Sequence, residues 1–162
     1  MPTTEEVLNL DLLTLREHTE LAGDTLDPDV HRLAVEKTLR TSEAVALRRD
    51  GALIAYATLQ PQEAGCWFVT GFNTHPHHRT APVFLALFAQ LHALAQRHGI
   101  TALRSNVYKT NRLSMAFHKR LGFKITRENA KGVEFHATLI ELTANNASLR
   151  FAPLGRGLPR IQ

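Results

Sequence analysis

A tight turn in the first half of the chain constrains the fold more than any other feature. The segment EAVALRRDGALIAYATLQ, residues 43–60, has β-formers on either side of Asp50 and Gly51. An Asp-Gly pair between two such runs is typical of a two-residue hairpin turn, because both turn positions favour residues that accept a positive φ. The segment therefore predicts two antiparallel strands, and with them a sheet.

Three further segments have the spacing and end signals of helices. Residues 3–21 open with a Thr-Glu pattern typical of a capping box and carry apolar residues at helical intervals, although VLNL alone could also pair as a strand. Pro28 suits the first turn of a second helix, whose predicted inward stripe is Val30, Leu33, Ala34 and Lys37. Residues 82–98 are helix formers followed by Gly99, which predicts another helix.

The other segments predict strands around one short helix. Residues 66–74, CWFVTGFNT, read as a strand in which Gly71 indicates a bulge or a close approach of another backbone. ITALRSNVY predicts a strand, residues 112–121 a short helix ending at Gly122, and FKITREN with VEFHATLIEL a closing hairpin. We expect a single domain over 1–142 and a loosely ordered tail over 143–162.

Composition narrows the classes of function. The formal charge of +4 over 162 residues is a modest excess without the clustered basic face of nucleic-acid modules, so no nucleic-acid partner is predicted. The lone Cys66 cannot form an internal disulfide, and the best apolar run, VFLALFA, is too short to span a bilayer. We therefore expect a cytoplasmic protein with no membrane partner.

One stretch near the C-terminal end carries a family resemblance. The stretch is VYKTNRLSMAFHKRLGF, residues 107–123. Its spacing is one that recurs in a protein family: a strand end at Val107, then Asn111, Ser114, Phe117 and a Leu-Gly-Phe ending. With the order of elements over about residues 43–140, this resembles the GNAT N-acetyltransferase superfamily. The resemblance implies an α+β fold with a mixed, mostly antiparallel sheet of six to seven strands and about four helices.

The same resemblance implies the activity. It implies transfer of an acetyl or other short acyl group from coenzyme A, with acetyl-CoA as the donor of acetyl, to a small-molecule or peptide amine. The amine attacks the donor directly, and no metal is needed. Whether two copies of the chain form a homodimer is left open.

The loop before the long helix departs from the family pattern. The family has R-x-x-G-x-G or A there, and its backbone amides hold the pyrophosphate at a helix N-terminus. Two glycine positions are Pro82 and Phe84, so the pyrophosphate loop is degenerate, and Pro82 removes one amide donor. The resemblance still assigns cofactor binding here to Arg79, Thr80, Ala81, Val83 and Phe84.

The resemblance also assigns roles on the neighbouring elements. Backbone amides of Phe72, Asn73 and Thr74 would pair with the pantetheine arm and polarise the thioester carbonyl. His118 stands where the family most often has a tyrosine, and an imidazolium can protonate the departing thiolate, so His118 is the predicted catalytic general acid. Asn111, Ser114 and Phe117 are predicted cofactor contacts, and Asn111 also suits a helix N-cap.

Other polar groups leave alternatives open. His75, His77 and His78 suggest a metal site only weakly, because no Cys or carboxylate stands nearby at ligand spacing. The general base is not determined by the sequence, and the groups to test are Glu63, Asn73, His75 and Glu134. Two alternatives to the acyl-CoA enzyme remain: a non-catalytic binding or regulatory module of the same fold, and an acyltransferase that uses a carrier-protein thioester.

Overall fold

The computed structural model describes residues 1–145. Within them, the helices are α1 (Thr4–Leu21), α2 (Pro28–Thr41), α3 (Ala81–His98), α4 (Arg112–Leu121) and α5 (Leu139–Asn145). The strands are β1 (Glu43–Arg49), β2 (Ala52–Glu63), β3 (Cys66–Thr74), β4 (Ala102–Tyr108), β5 (Lys124–Glu128) and β6 (Gly132–Thr138). A short 3-10 turn, Pro76–His78, connects β3 to α3.

The strands form one sheet in the order β1-β2-β3-β4-β6-β5. Only the central pair, β3 and β4, is parallel among these strands, because α3 carries the chain back to the starting edge between them. Every other neighbouring pair is antiparallel. The predicted α+β fold with a mixed, mostly antiparallel sheet is confirmed, with six strands and one helix more than the predicted four.

The hairpin that opens the sheet forms as predicted. Asp50 and Gly51 have φ of 51° and 80°, the left-handed values that a type I′ turn requires at both positions. β2 runs three residues beyond the predicted end at Gln60, through Pro61. The last β1 pair is Glu43 with Leu59, so Pro61 stands where β2 has no β1 partner, and a proline is tolerated there.

Helices cover both faces of the sheet. Apolar side chains of α3 pack on β1, β2 and β3 on one face, and α1 with α2 pack on Leu53 and Tyr56 of β2 on the other. A second apolar cluster joins β4 and β6 to α4 and α5, with Phe135 fully buried. The central strands are therefore covered on both sides, which explains the nearly continuous burial of β2.

The helix starts show which local signals were sufficient. Thr3 and Glu6 form the predicted capping box of α1, and Asp27 caps α2 ahead of Pro28.

The predicted inward stripe of α2 is wrong, because Val30 and Leu33 are about two-thirds exposed while Val35 is buried. His31 turns inward with Val35 because a hydrogen bond to α1 holds it there, and this rotates the stripe.

The end of the chain differs from the predicted hairpin. β6 ends at Thr138, and the LIEL segment predicted as strand begins helix α5. Thr138 and Glu141 exchange backbone and side-chain hydrogen bonds in a capping box, a start signal stronger than the β-propensity of Ile140. Residues 143–145 of the predicted tail are helical, and residues 146–162 lie outside the described residues.

Candidate active site

The parallel strands β3 and β4 separate in the middle of the sheet. Their pairs run from Cys66 with Ala102 to Val69 with Ser105, and no later pair joins them in the described chain. On the other side of β3 the register shifts, so that Leu59 faces Val69 and Thr58 faces Gly71. Thr70 is therefore the extra residue of a bulge, which bends β3 away from β4. We call the space between the separated strands the β3–β4 gap.

The backbone of β3 beyond the bulge presents hydrogen-bonding groups to this gap. The His75 amide donates to the Ile54 carbonyl at 2.8 Å, which makes alternate residues of β3 bond to β2. By this alternation Asn73 directs its amide and carbonyl toward β2, and Phe72 and Thr74 direct theirs toward the gap. Of the three residues whose amides were predicted to hold the donor, two thus face the gap.

Gly71 is required by a neighbour on β2. A Cβ at this position would lie 2.8 Å from Thr58 Oγ1 and 2.9 Å from Tyr56 Cε2, closer than real Cβ contacts. The predicted bulge is confirmed, whereas the predicted close approach of another backbone is wrong, because the atoms nearest to a Cβ at Gly71 belong to side chains. Gly71 therefore lets Tyr56 and Thr58 lie flat against the bulged strand.

The N-terminus of α3 opens beside the end of β3. Thr80 is the N-cap residue and makes no side-chain capping bond. The Phe84 amide donates to the Thr80 carbonyl at 3.1 Å, so it belongs to the helix and is not available to a ligand. The amides of Ala81 and Val83, two other residues assigned to cofactor binding, have no acceptor in the helix, and Val83 is fully buried. Arg79, exposed just before them, adds a positive charge.

The histidine loop before α3 adds further basic groups. His75 Nδ1 accepts from the His77 amide at 3.2 Å, and its ring contacts the rings of His77 and His78 with 5.3 Å between centroids. Burial, followed by the nearby cationic side chains, lowers the pKa of His75. Across residues 1–145, no three His, Cys, Asp or Glu side chains are grouped so that they could hold a metal ion.

Helix α4 begins at the far side of the gap. The Asn111 side chain accepts from the Ser114 amide at 3.1 Å, which confirms its predicted use as an N-cap. This bond orients the amide group, so that Nδ2 faces His18 Nε2 at 3.4 Å. Ser114, one turn on, is half-buried and lies beside His118, with 3.3 Å between Oγ and Nδ1.

His118 is buried between α4 and the sheet. Its Nδ1 lies 2.8 Å from the Ser114 carbonyl, which can only accept, so this nitrogen carries the proton. Nε2 then accepts from the Ser105 hydroxyl at 3.1 Å, and the ring stacks on Phe135 at 4.8 Å. Burial lowers the pKa of His118, so the neutral imidazole is favoured.

Four half-buried phenylalanines join α3, α4 and β3 on the same face as His118. The Phe117 ring on α4 lies 5.2 Å from Phe84, 5.6 Å from Phe72 and 6.1 Å from Phe88. We call this set the phenylalanine cluster. The Phe84 side chain, which replaces the second glycine of the family pattern, points toward α4.

The opposite face of the gap carries a polar stripe that sequence reasoning missed. Asp11 is 3% exposed and accepts from Tyr56 Oη at 2.6 Å, Asn73 Nδ2 at 3.0 Å and His31 at 2.8 Å. Asn73 Nδ2 also donates to Thr14 Oγ1 at 2.5 Å. Asp11, Thr14 and His18 recur at helical spacing along one side of the amphipathic helix α1, and this was the signal that could have found the stripe.

The stripe continues to the end of β4. The Thr110 hydroxyl donates to the His18 carbonyl at 2.6 Å, and the Tyr108 hydroxyl donates to Asp24 Oδ2 at 2.7 Å. Burial lowers the pKa of His18, so its imidazole is mainly neutral near pH 7. A neutral ring whose Nε2 faces an amide N–H has its lone pair on Nε2 and can accept a proton there.

The site combines two separated parallel strands with a helix N-terminus after the first strand and a capped helix after the second. A sequence match supports the same site. The model of the acetyltransferase (GNAT) family matches residues 10–123. The chain belongs to the GNAT acetyltransferase family. The predicted resemblance is therefore confirmed, and the matched region includes the whole β3–β4 gap and both helices beside it.

Solved structures share the fold of this GNAT chain at low identity. It is similar to the PaiA N-acetyltransferase from Thermoplasma acidophilum in complex with coenzyme A, with 13% identity, a TM-score of 0.65, and coverage of 83% of this chain and 92% of that one. For aminoglycoside 6′-acetyltransferase type Ii the values are 19%, 0.65, 83% and 88%.

A third similar structure is the ribosomal-protein-S18-alanine N-acetyltransferase from Escherichia coli, with 15% identity, a TM-score of 0.61 and coverage of 86% and 90%. No curated protein sequence matches the chain. No helix between residues 1 and 145 is long and apolar enough to cross a membrane.

Proposed function

We propose that this GNAT acetyltransferase moves an acetyl group from acetyl-CoA to an amine through the β3–β4 gap. The observation that carries the proposal is the separation of β3 from β4 after Val69 and Ser105, which leaves the backbone of Phe72 and Thr74 facing the gap. A pantetheine arm has amide groups that can pair with such a strand edge in place of β4. Family membership supplies the reaction class.

The phosphates of the donor would lie at the N-terminus of α3. The free amide of the exposed Ala81, the partial positive charge of the helix end and the Arg79 guanidinium all favour an anion, whereas Val83 is fully buried. Pro82 costs one neutral hydrogen bond, about 0.5–1.5 kcal/mol, which one charged contact from Arg79 can offset. Thr80, without a capping bond of its own, can also donate to a phosphate oxygen.

The acceptor amine would arrive from the face that carries α1. In the proposed step the amine nitrogen attacks the thioester carbonyl carbon, and the carbon–sulfur bond breaks. The coenzyme A thiolate leaves and then takes up one proton. Phe72 and Thr74 amides stabilise the oxyanion. We propose His18 as the general base for the amine proton, because burial keeps it neutral and Nε2 carries the lone pair.

His118 remains the proposed acid, under a condition that its surroundings impose. The neutral ring has its one N–H directed at the Ser114 carbonyl. Protonation at Nε2 would reverse the bond to Ser105, and this N–H is the one that could reach a thiolate. Because burial lowers the pKa of His118, turnover that depends on this acid should fall at a pH below the usual 6.5.

The acceptors named for similar proteins suggest a first panel of amines. It contains an aminoglycoside and a peptide with an N-terminal alanine, after two of the similar structures, and a polyamine. Release of free thiol from acetyl-CoA measures transfer, and calorimetry measures donor binding without an acceptor. Binding of acetyl-CoA with thiol release that depends on the amine is the expected result.

A pair of arginine variants tests the donor site. Arg79→Gln should raise the Kd for acetyl-CoA about tenfold, since a charged hydrogen bond is worth about 1.5–3 kcal/mol. Arg97→Gln, at the other end of α3, is the matched control and should leave it unchanged. For acetyl-pantetheine, which lacks the pyrophosphate, neither variant should change Kd. Equal effects of both variants on acetyl-CoA would remove Arg79 from the site.

The two alternatives to an acyl-CoA enzyme predict different results in the same measurements. A chain that binds neither acetyl-CoA nor CoA would be a binding module of the GNAT fold. A chain that transfers acetyl only from an acylated carrier protein would be the carrier-dependent acyltransferase, which would use the same gap with fewer phosphate contacts.

A further inference from the structure

An apolar cavity lies directly behind the phenylalanine cluster. Its volume is about 100 Å³, and it lies between α3, α4, α5 and the central strands. All but three of the residues that line it are apolar. Protein interiors are normally packed without voids of this size, and a water molecule takes about 30 Å³ of liquid, so the cavity has room for a few carbon atoms.

The cavity shares residues with the proposed donor site. Phe72, Phe117 and His118 belong to its lining, and so does Val69, the last residue of β3 that pairs with β4. An acyl group whose carbonyl lies at the Phe72 amide would therefore have its far end at the cavity wall. The opposite face of the gap is closed to an alkyl chain by the hydrogen-bonded groups of Asp11 and Asn73.

Two of the three polar residues of the lining are already hydrogen-bonded. Both ring nitrogens of His118 have partners, and Thr143 Oγ1 donates to the Leu139 carbonyl at 2.9 Å. His92 is the third polar residue. A wall of this kind offers a hydroxylated or charged acyl group little compensation for lost water, whereas each methylene of an alkyl chain gains from leaving water.

We propose that the cavity is an acyl-chain pocket and that the preferred donor is a straight-chain acyl-CoA of about four to six carbons, longer than acetyl-CoA. The inference rests on the proposed function, because it takes the donor thioester to lie in the β3–β4 gap. It adds the chemical class of the acyl group. The pocket admits chains until its volume is filled and excludes longer ones.

Calorimetry with a series of acyl-CoAs tests the pocket without any acceptor. The probes are acetyl-, butyryl-, hexanoyl- and dodecanoyl-CoA, with CoA as reference. Affinity should rise about fourfold per added methylene up to the filled pocket, and dodecanoyl-CoA should bind more weakly than hexanoyl-CoA. Equal Kd values for acetyl- and hexanoyl-CoA would overturn the pocket and leave the proposed function intact. No binding of any member would overturn the donor assignment as well.

Variants of Val69 locate the effect. Val69→Phe adds bulk to the cavity and should lower the ratio of hexanoyl-CoA to acetyl-CoA affinity at least tenfold, whereas Val30→Phe makes the same change on the exposed face of α2 and should not change it. Val69→Ala enlarges the cavity and should shift the tightest binding to a longer chain, which keeps the test available if Val69→Phe does not fold. An unchanged ratio in a folded Val69→Phe, or unchanged chain-length preference in Val69→Ala, would place the chain elsewhere.

Discussion

The two faces of the β3–β4 gap are built by different kinds of interaction. On the α3 and α4 face, four phenylalanines and an apolar cavity surround a neutral, buried His118. On the α1 face, Asp11, Thr14 and His18 form a stripe of hydrogen-bonded polar groups. The same strand, β3, contributes Phe72 to the first and Asn73 to the second, because side chains alternate along a strand.

The difference fits a reaction between two chemically unlike substrates. Burying an acyl chain against any apolar surface lowers the free energy, so the apolar face needs volume more than it needs oriented hydrogen bonds. An amine must lose a proton and be oriented, so the polar face needs acceptors at fixed positions. The strand between them is held on the polar side by Asp11 and Thr14 through Asn73, and it has no β4 partner in the described chain from Thr70 onward.

The largest effect is expected on the polar face. Asp11→Ala would leave Tyr56, Asn73 and His31 without their shared acceptor, and should lower the free energy of unfolding by about 3 kcal/mol, since each buried unsatisfied group costs about 1–3 kcal/mol. Urea denaturation measures the change. Glu20→Ala, on the exposed side of the same helix, is the control and should change it by less than about 0.5 kcal/mol.

The outcome also bears on the strand. If Asp11→Ala is no more destabilising than the control, the carboxylate does not hold Asn73 and Tyr56, and the two faces differ less than their contacts suggest. Asp11→Asn keeps one acceptor oxygen and should fall between the wild type and Asp11→Ala.

A smaller effect is expected on the apolar face. Phe117→Ala removes the ring that touches Phe72, Phe84 and Phe88, and should lower the free energy of unfolding by about 2 kcal/mol, because the ring is half-buried and neighbours can partly close the space. Leu113→Ala, exposed on the same helix, is the control. A loss equal to that of Leu113→Ala would show that the cluster contributes contact area without stability.

The smallest effect is expected from pH. Burial lowers the pKa of His118, so below the usual value of about 6.5 the unfolded chain binds protons that the folded chain does not. The free energy of unfolding therefore falls as the pH drops through the window between 6.5 and the lowered pKa. Denaturation at pH 7.5 and 5.5 should show a smaller difference for His118→Gln than for the wild type.

Two further variants compare the faces in the same measurement. His18→Gln should reduce the pH dependence less than His118→Gln, because His18 is less buried, and the exposed His77→Gln is the control. A larger effect of His18→Gln would mean that the polar face, and not the aromatic one, excludes the charged imidazole more strongly.

Much of the fold followed from local signals. The Asp50-Gly51 turn, the Thr3 capping box, the Asn111 cap and the glycine ends of α3 and α4 are each satisfied by neighbours in sequence, so short segments were sufficient to predict them. The start of α5 had an equally local signal, Thr138 with Glu141, but the β-formers before it favoured a continued strand.

The two faces of the site show where local signals end. His118 was found because a motif contains it, although its partners, Ser105 and Phe135, come from two other strands. Asp11 was missed because an acidic residue in an amphipathic helix usually faces water, and the groups that make its burial favourable lie 20, 45 and 62 residues away.

By itself the sequence determined the hairpin, the helix caps, the mixed order of elements and the family motif of α4, because each depends on backbone preferences and spacing within a few residues. Only the tertiary structure decided which side chains share the β3–β4 gap. It turned Val35 inward in place of Val30, directed Phe84 toward Phe117, buried Asp11 beneath Tyr56 and left a cavity behind Phe72. These features depend on packing and on partners for buried polar atoms, and both are set when distant segments meet.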